Sequence, residues 1–290
     1  MLLIVLTVVI GSTIAGWRTL SSTAATHGSL PGPPKPHASA LNGNLENSAP
    51  PRISASSPVC AKPVPDKIDK CNELERQVLA STVRLEWRFK IKNDDGQYTF
   101  VDGSMGLATI KTGRYLVTHN HPSVPLSGLK KGELTTVSVF TANGRPLWIE
   151  GSLEAITITE EDPETLILDF GSYGGEGLFG SMGMVSAEFK AWESLSLQPG
   201  MEVAQINWDG ETTDVDWVTI EKVITEDNLP KLELANSVAP GTSGGGVFWN
   251  GYHIANTRSQ VTAYGQNSGA VLREYSVAAL NSAQVAGQLE

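Results

Sequence analysis

The chain has little cysteine, little histidine and no dense basic segment. Two cysteines in 290 residues exclude a disulfide-rich scaffold. With only five histidines they also exclude a protein built on several zinc sites. Lys and Arg number 21 against 31 Asp and Glu, a formal net charge of -10. No run of five basic residues occurs, so the patch that phosphate contacts require is missing and nucleic-acid binding is excluded. Only one long apolar run exists, which rules out a polytopic helical membrane protein. The hydrophobic content, 40%, suffices for an ordinary buried core.

The apolar run is Leu2 to Ile10, continuing weakly through Gly11 to Trp17. Its length suits a signal-peptide core better than a full span of about 20 residues. Small residues at Ser21 to Ala25 offer a cleavage site, whereas the usual basic start is missing and Arg18 follows the run instead. Residues 1–25 are therefore read as a signal peptide, with an uncleaved membrane anchor as the alternative. Nine of the 16 prolines lie between Pro31 and Pro65. Such a segment buries too little apolar surface to offset its ordering entropy. Residues 26–70 are expected to form an extended linker, and residues 71–290 the folded domain. In an exported protein, Cys60 and Cys71 are spaced to close a short disulfide loop, the alternative being two free thiols.

From Ser81 to Ile91 apolar and charged residues alternate, the period-2 pattern of a half-buried strand. Further strands are predicted at Leu107 to Ile110, Tyr115 to Thr118, Thr136 to Thr141, Leu153 to Thr159 and Leu166 to Phe170. Others fall at Met201 to Ile206, Val215 to Ile224, Gly246 to Trp249 and His253 to Asn256. Asn143-Gly144 and Asn250-Gly251 are hairpin signals. A short helix is predicted over Asn72 to Ala80, and a clear one over Val277 to Leu289. Gly171 to Gly183 reads as a mobile surface loop; without a following Lys-Ser/Thr it is no phosphate loop. The pattern implies an all-β barrel or sandwich.

Chemistry concentrates in Pro240-Gly241-Thr242-Ser243-Gly244-Gly245-Gly246. Glycines around a serine let the backbone turn sharply and aim N–H groups at one spot, as an oxyanion hole requires. The hydroxyl needs a base to become a nucleophile. His27 and His37 lie in the tail, and His253 reads as a packed strand residue. His119 and His121 end a predicted strand, a rigid platform for a base. Their spacing puts both rings on one face, but no third metal ligand is near, so no metal is expected.

Gly241-Thr242-Ser243-Gly244-Gly245 resembles the G-x-S-G-G nucleophile motif of the chymotrypsin-like (trypsin-fold) serine proteases. Leu116-Val117-Thr118-His119-Asn120-His121 resembles their L-T-x-x-H signature and places the base at His121. Gly103-Ser104-Met105-Gly106, Asp162-Pro163-Glu164-Thr165 and Pro199 to Ile206 resemble strand and turn motifs of the bacterial high-temperature-requirement branch. The similarity runs from about Ser81 to Thr257 in matching order. It implies two six-stranded antiparallel β-barrels, a short C-terminal helix and a cleft between the barrels.

The resemblance further implies a serine endopeptidase acting on polypeptides without a cofactor. Ser243 would be the nucleophile, and the N–H groups of Gly241 and Ser243 would bind the oxyanion. Ser237, six residues before the nucleophile, would lie at the base of the primary pocket and favours small or apolar side chains there. The family's acid directly precedes an apolar strand, but Thr165 holds that position here. Glu164 and Asp162 are the two candidates, with Asp169 less suited at the strand's far end. No Ile-Val-Gly-Gly activation sequence is present, and little chain follows Ser243 for a further peptide-binding domain. The alternative function is a catalytically inactive protease-fold binding module, and a third reading is a secreted adhesion module on the Pro-rich stalk. The expected location is secreted, or anchored outside the cytoplasm through the N-terminus.

Overall fold

A computed structural model describes residues 68–92, 94–120, 135–152, 155–162, 164–209, 212–264 and 271–287. The expected signal or anchor segment, nearly all of the linker and Cys60 lie outside these residues. So does the side chain of Cys71, and with it the proposed disulfide.

Helix α1 (Ile68–Ala80) opens the described fold, starting four residues earlier than the pattern suggested. It buries Leu74 and Val78, four residues apart on one face. Ser81 and Thr82 end it: both hydroxyls donate to the carbonyl of Val78. The chain then forms β1 (Thr82–Lys92), β2 (Tyr98–Ile110), β3 (Tyr115–His119), β4 (Thr135–Thr141), β5 (Pro146–Ser152), β6 (Thr157–Asp162) and β7 (Thr165–Asp169). After helical turns come β8 (Glu188–Phe189), β9 (Glu202–Trp208), β10 (Thr213–Glu226), β11 (Leu229–Leu234), β12 (Gly246–Trp249), β13 (Tyr252–Tyr264) and β14 (Val271–Leu280).

These strands make two seven-stranded sheets. The first has the order β5-β4-β1-β2-β3-β7-β6 and curves as a half-barrel. The second has the order β12-β9-β10-β11-β14-β13-β8, and an added β12–β13 pairing closes six of its strands into a ring. Closure removes exposed edges, and β8 adds to the ring in parallel beside β13. The described residues thus form an all-β, two-lobed fold of one open sheet and one closed ring.

Each lobe has its own core, and a third apolar layer lies between them. Strand β3 shows why. All five of its residues are buried, because Leu116 packs inside the first lobe while Tyr115 and Val117 face the second. Strand β7 repeats the arrangement, with Leu166 and Leu168 inward and Ile167 outward. Such strands read as continuous apolar runs rather than alternations. Tyr115, Val117 and Ile167 meet Ile206, Trp208 and Phe248 of the second sheet. Burying each large side chain stabilises the contact by about 1.5–3 kcal/mol.

Two sequence expectations are corrected. Val277 to Leu280 belongs to β14, and the C-terminal helix is a single turn, Ala283–Ala286. The run Val277-Ala278-Ala279-Leu280 is buried throughout, so it lacks the polar face that a surface helix needs. Gly171 to Gly183 lies at the surface as expected, but it forms short helical turns rather than a loop, and it buries Leu178 and Phe179 in the first core. Phe170 and Phe179 meet edge to face there.

Candidate active site

Ser243 lies in a tight turn between β11 and β12, on the seam of the two lobes. Gly241 and Gly244 have left-handed φ values of 99° and 84°. A Cβ at Gly244 would sit 2.0 Å from the carbonyl oxygen of Leu107 and 2.3 Å from the hydroxyl of Thr118. Only glycine permits both this backbone and this approach. The fully buried Thr242 fixes the turn from below: its hydroxyl donates to Asn207 Oδ1 (2.9 Å) and accepts from the N–H of Trp208 (3.0 Å).

The main chain of the turn is tied on both sides. The Gly244 N–H donates to Thr257 and the Thr257 N–H to Gly245, both at 2.8 Å. Across the seam, the Leu107 N–H donates to the carbonyl of Ser243 at 2.8 Å. Among the described residues no acceptor meets the N–H of Gly241 or of Ser243. The turn therefore holds two uncommitted donors two residues apart, able to stabilise a developing negative oxygen.

The Ser243 hydroxyl donates to the carbonyl of Arg258 at 3.1 Å. That carbonyl is free because Arg258 is a bulge. Thr257 pairs with Ala278 and Ser259 with Val277, which leaves Arg258 without a partner in the ladder. Bulges re-aim side chains beside functional sites. Here the guanidinium crosses to the first lobe, where Nε lies 2.9 Å from Oε2 of Glu164.

Glu164 precedes β7 and is mostly buried. Its carboxylate also meets Lys231 Nζ at 3.2 Å. Glu226 closes the circuit, with Oε2 2.7 Å from Lys231 Nζ and 3.1 Å from Arg258 Nη1. Two acids and two bases thus alternate in a ring spanning the lobes. Lys231 lies on β11 with no exposure at all, which a cation tolerates only when paired. The hydrogen bond from Lys231 holds the Glu226 carboxyl below its usual range.

The Glu164 main chain organises the end of β3. Its carbonyl lies 2.7 Å from His119 Nδ1 and accepts the N–H of Asn120 at 2.8 Å. The first contact places the His119 proton on Nδ1. Strand β3 ends there, two residues before His121, and His121 lies outside the described residues. Asp162 closes β6 opposite Thr165, and its side chain also lies outside them. Asp169 is engaged elsewhere, pairing with Arg114 at 3.1 Å. Ser237 is exposed, in the segment that leads to the serine turn. His253 is fully buried, stacked on Phe189 with centroids 4.1 Å apart and bonded through Nδ1 to Asn281. Among the described residues no three His, Cys, Asp or Glu side chains gather as a metal site.

The sequence reading missed Arg258, Lys231 and Glu226. No local signal marked them: in Leu229-Pro230-Lys231-Leu232-Glu233 the lysine and the glutamate read as the solvated face of a strand.

No protein-family profile matches the chain, and no curated protein matches it. Solved structures that it resembles include AlgW, an HtrA-type protease determined with a decapeptide. The identity there is 14% and the TM-score 0.49, over 71% of this chain and 62% of that one. The chain therefore spans less than two thirds of AlgW. Deg5 gives 15% identity and a TM-score of 0.48, over 67% and 86% of the two chains. The Rv3671c protease in an inactive form gives 16% and 0.46, over 79% and 96%.

Proposed function

We propose that the chain is a serine-type endopeptidase acting by acyl transfer. Ser243 Oγ attacks the scissile carbonyl while His121 takes its proton. The N–H groups of Gly241 and Ser243 hold the resulting oxyanion. His121 then protonates the leaving amine, and a water attacks the acyl-enzyme by the same route in reverse. Glu164 is the acid that orients the imidazole, with Asp162 as the alternative. Polypeptide is the substrate, and Ser237 contributes to the pocket before the scissile bond. The apolar Leu2 to Ile10 run and the Pro-rich segment after it favour export, with release or tethering through the N-terminus.

The supporting observation is the convergence at Arg258. One residue accepts the Ser243 hydroxyl through its carbonyl and binds Glu164 through its guanidinium. Nucleophile and candidate acid, far apart in sequence, are thereby brought within one side chain's length. The test is covalent labelling of the folded protein by a fluorophosphonate. Labelling lost on Ser243→Ala supports the enzyme; absence of labelling in the wild type refutes it.

A second reading, the catalytically silent binding module, has its own observation. Two cations already compensate Glu164, and Ser243 donates to a main-chain carbonyl. A neutralised carboxylate stabilises an imidazolium less, so this arrangement favours low or absent turnover.

A further inference from the structure

The charge ring beside Ser243 has one member that is about half exposed to solvent. Lys231 is fully buried and Glu164 nearly so, whereas the side chain of Arg258 is 33% exposed and that of Glu226 is 47% exposed. Glu226 is also the last residue of β10, at the tip of a hairpin. It pairs with Leu229 across a two-residue turn, Asp227-Asn228, whose φ values are 54° and 64°. That conformation matches strand twist but suits glycine better than Asp or Asn. Glu226 is thus a carboxylate delivered from a solvent-facing turn onto two cations rooted in the body of the second lobe.

We propose that Arg258, with Lys231 behind it, is an acid-recognising subsite for a peptide chain that passes the Ser243 turn, and that Glu226 is its internal competitor. The inference rests on the peptidase reading for the direction of the chain, but not on turnover.

The electrostatics favour this occupant. With Glu226 in place the ring is neutral. When Glu226 swings out, two cations face Glu164 alone and the site carries one positive charge. A Glu or Asp side chain of a bound peptide restores both neutrality and hydrogen bonds, whereas a Gln or Asn side chain can accept the hydrogen bonds but leaves the charge unbalanced. Arg258 has five N–H donors, and only its Nε and Nη1 face ring carboxylates. It can therefore admit a second carboxylate at its fork. Because the Arg258 carbonyl accepts the Ser243 hydroxyl, the guanidinium lies within one arginine length of the nucleophile. The acidic residue recognised would stand close to the bond presented to Ser243.

Binding tests the subsite separately from catalysis. The probe is a set of fluorescein-labelled octapeptides of alanine and glycine with a single Glu, or a single Gln, at each position in turn. They are titrated by anisotropy against the full chain carrying Ser243→Ala. At one position Glu should bind about threefold tighter than Gln in this background, the size of an exposed charge contact. Adding Glu226→Gln should raise the preference to about tenfold, and adding Arg258→Gln should bring it to unity. Raised salt should weaken the Glu peptides selectively. Equal binding of Glu and Gln peptides at every position, with and without Glu226→Gln, overturns the proposal. Fluorophosphonate labelling reports the parent reading independently. A labelled protein without acid preference fails the subsite alone, and an unlabelled protein with acid preference fails the catalysis alone.

Discussion

Buried His253 should make the protein acid-sensitive in a way that one substitution can isolate. Its ring has no exposure and lies between Phe189 and Phe248. Burial lowers its pKa to about 3, and the nearby Lys111 charge adds to the effect, while Asn256 and Asn281 oppose it. In the unfolded chain the imidazole returns to about 6.5. A basic group depressed on folding is stabilising as the neutral form. That stability is complete above pH 6.5 and is lost as pH falls toward 3, because the unfolded state binds the extra proton. Each pH unit in that window costs about 1.4 kcal/mol per proton, so at pH 5 the loss is about 2 kcal/mol. The assay is urea unfolding followed by tryptophan fluorescence, from pH 7.5 to 4.5, on the wild type and on His253→Phe. Phenylalanine keeps the stack and removes the titration, while the carboxylates titrate equally in both proteins. The variant pays a fixed penalty for the lost Asn281 bond. Below pH 6.5 the wild type should lose stability against it with a slope near one proton. A stability difference that stays constant across the range would refute the reasoning.

Two further outcomes follow from the site. Gly244→Ala should destabilise by about 3 kcal/mol or more, from the left-handed φ and from the clash with Leu107 and Thr118, read as a lower urea midpoint. Glu164→Gln leaves the buried Lys231 short of charge and should cost about 3 kcal/mol. If Glu164 is the acid, the same change should cut turnover roughly a thousandfold or more while Asp162→Asn does not; the reverse pattern assigns Asp162, and equal wild-type rates for both remove the assignment.

Much of the fold was legible because local pattern and tertiary role agree. Gly246 to Trp249 forms a strand with the predicted ends, and β1, β3, β4, β7 and β9 fall within a residue or two of expectation. The failures have physical causes. Strand β11 contains Pro230, Lys231 and Glu233, residues that read as a turn or a solvated face; its Lys231 is buried only because acids from other segments meet it. The end of β14 is alanine-rich and reads as helix, yet the closed ring buries it. Strand β5 begins at Pro146 and contains Gly151, both poor strand formers. The tight turn around Ser243 was legible because its glycines mark a strained backbone in one short window. The contacts of Glu164 with Arg258 and Lys231 were not legible, since both partners come from distant segments. Arg258 was invisible: the bulge that sets its direction is a count between two strands, and no local pattern records it.

That bulge adds a polar link between the two lobes to their shared apolar layer. One extra residue in β13 frees a carbonyl for Ser243 and turns a guanidinium toward Glu164 at the mouth of β7. Glu164 in turn holds His119 and Asn120, at the end of the strand that leads to His121. A displacement of the Ser243 turn must therefore strain Arg258, then Glu164, then the end of β3. Apolar contacts tolerate small slips, but charge-assisted bonds weaken steeply as they lengthen or bend. The serine turn and the segment that carries the candidate base are thus coupled through four charges and one bulge, and a ligand that opens the ring at Glu226 acts on both ends of that coupling at once.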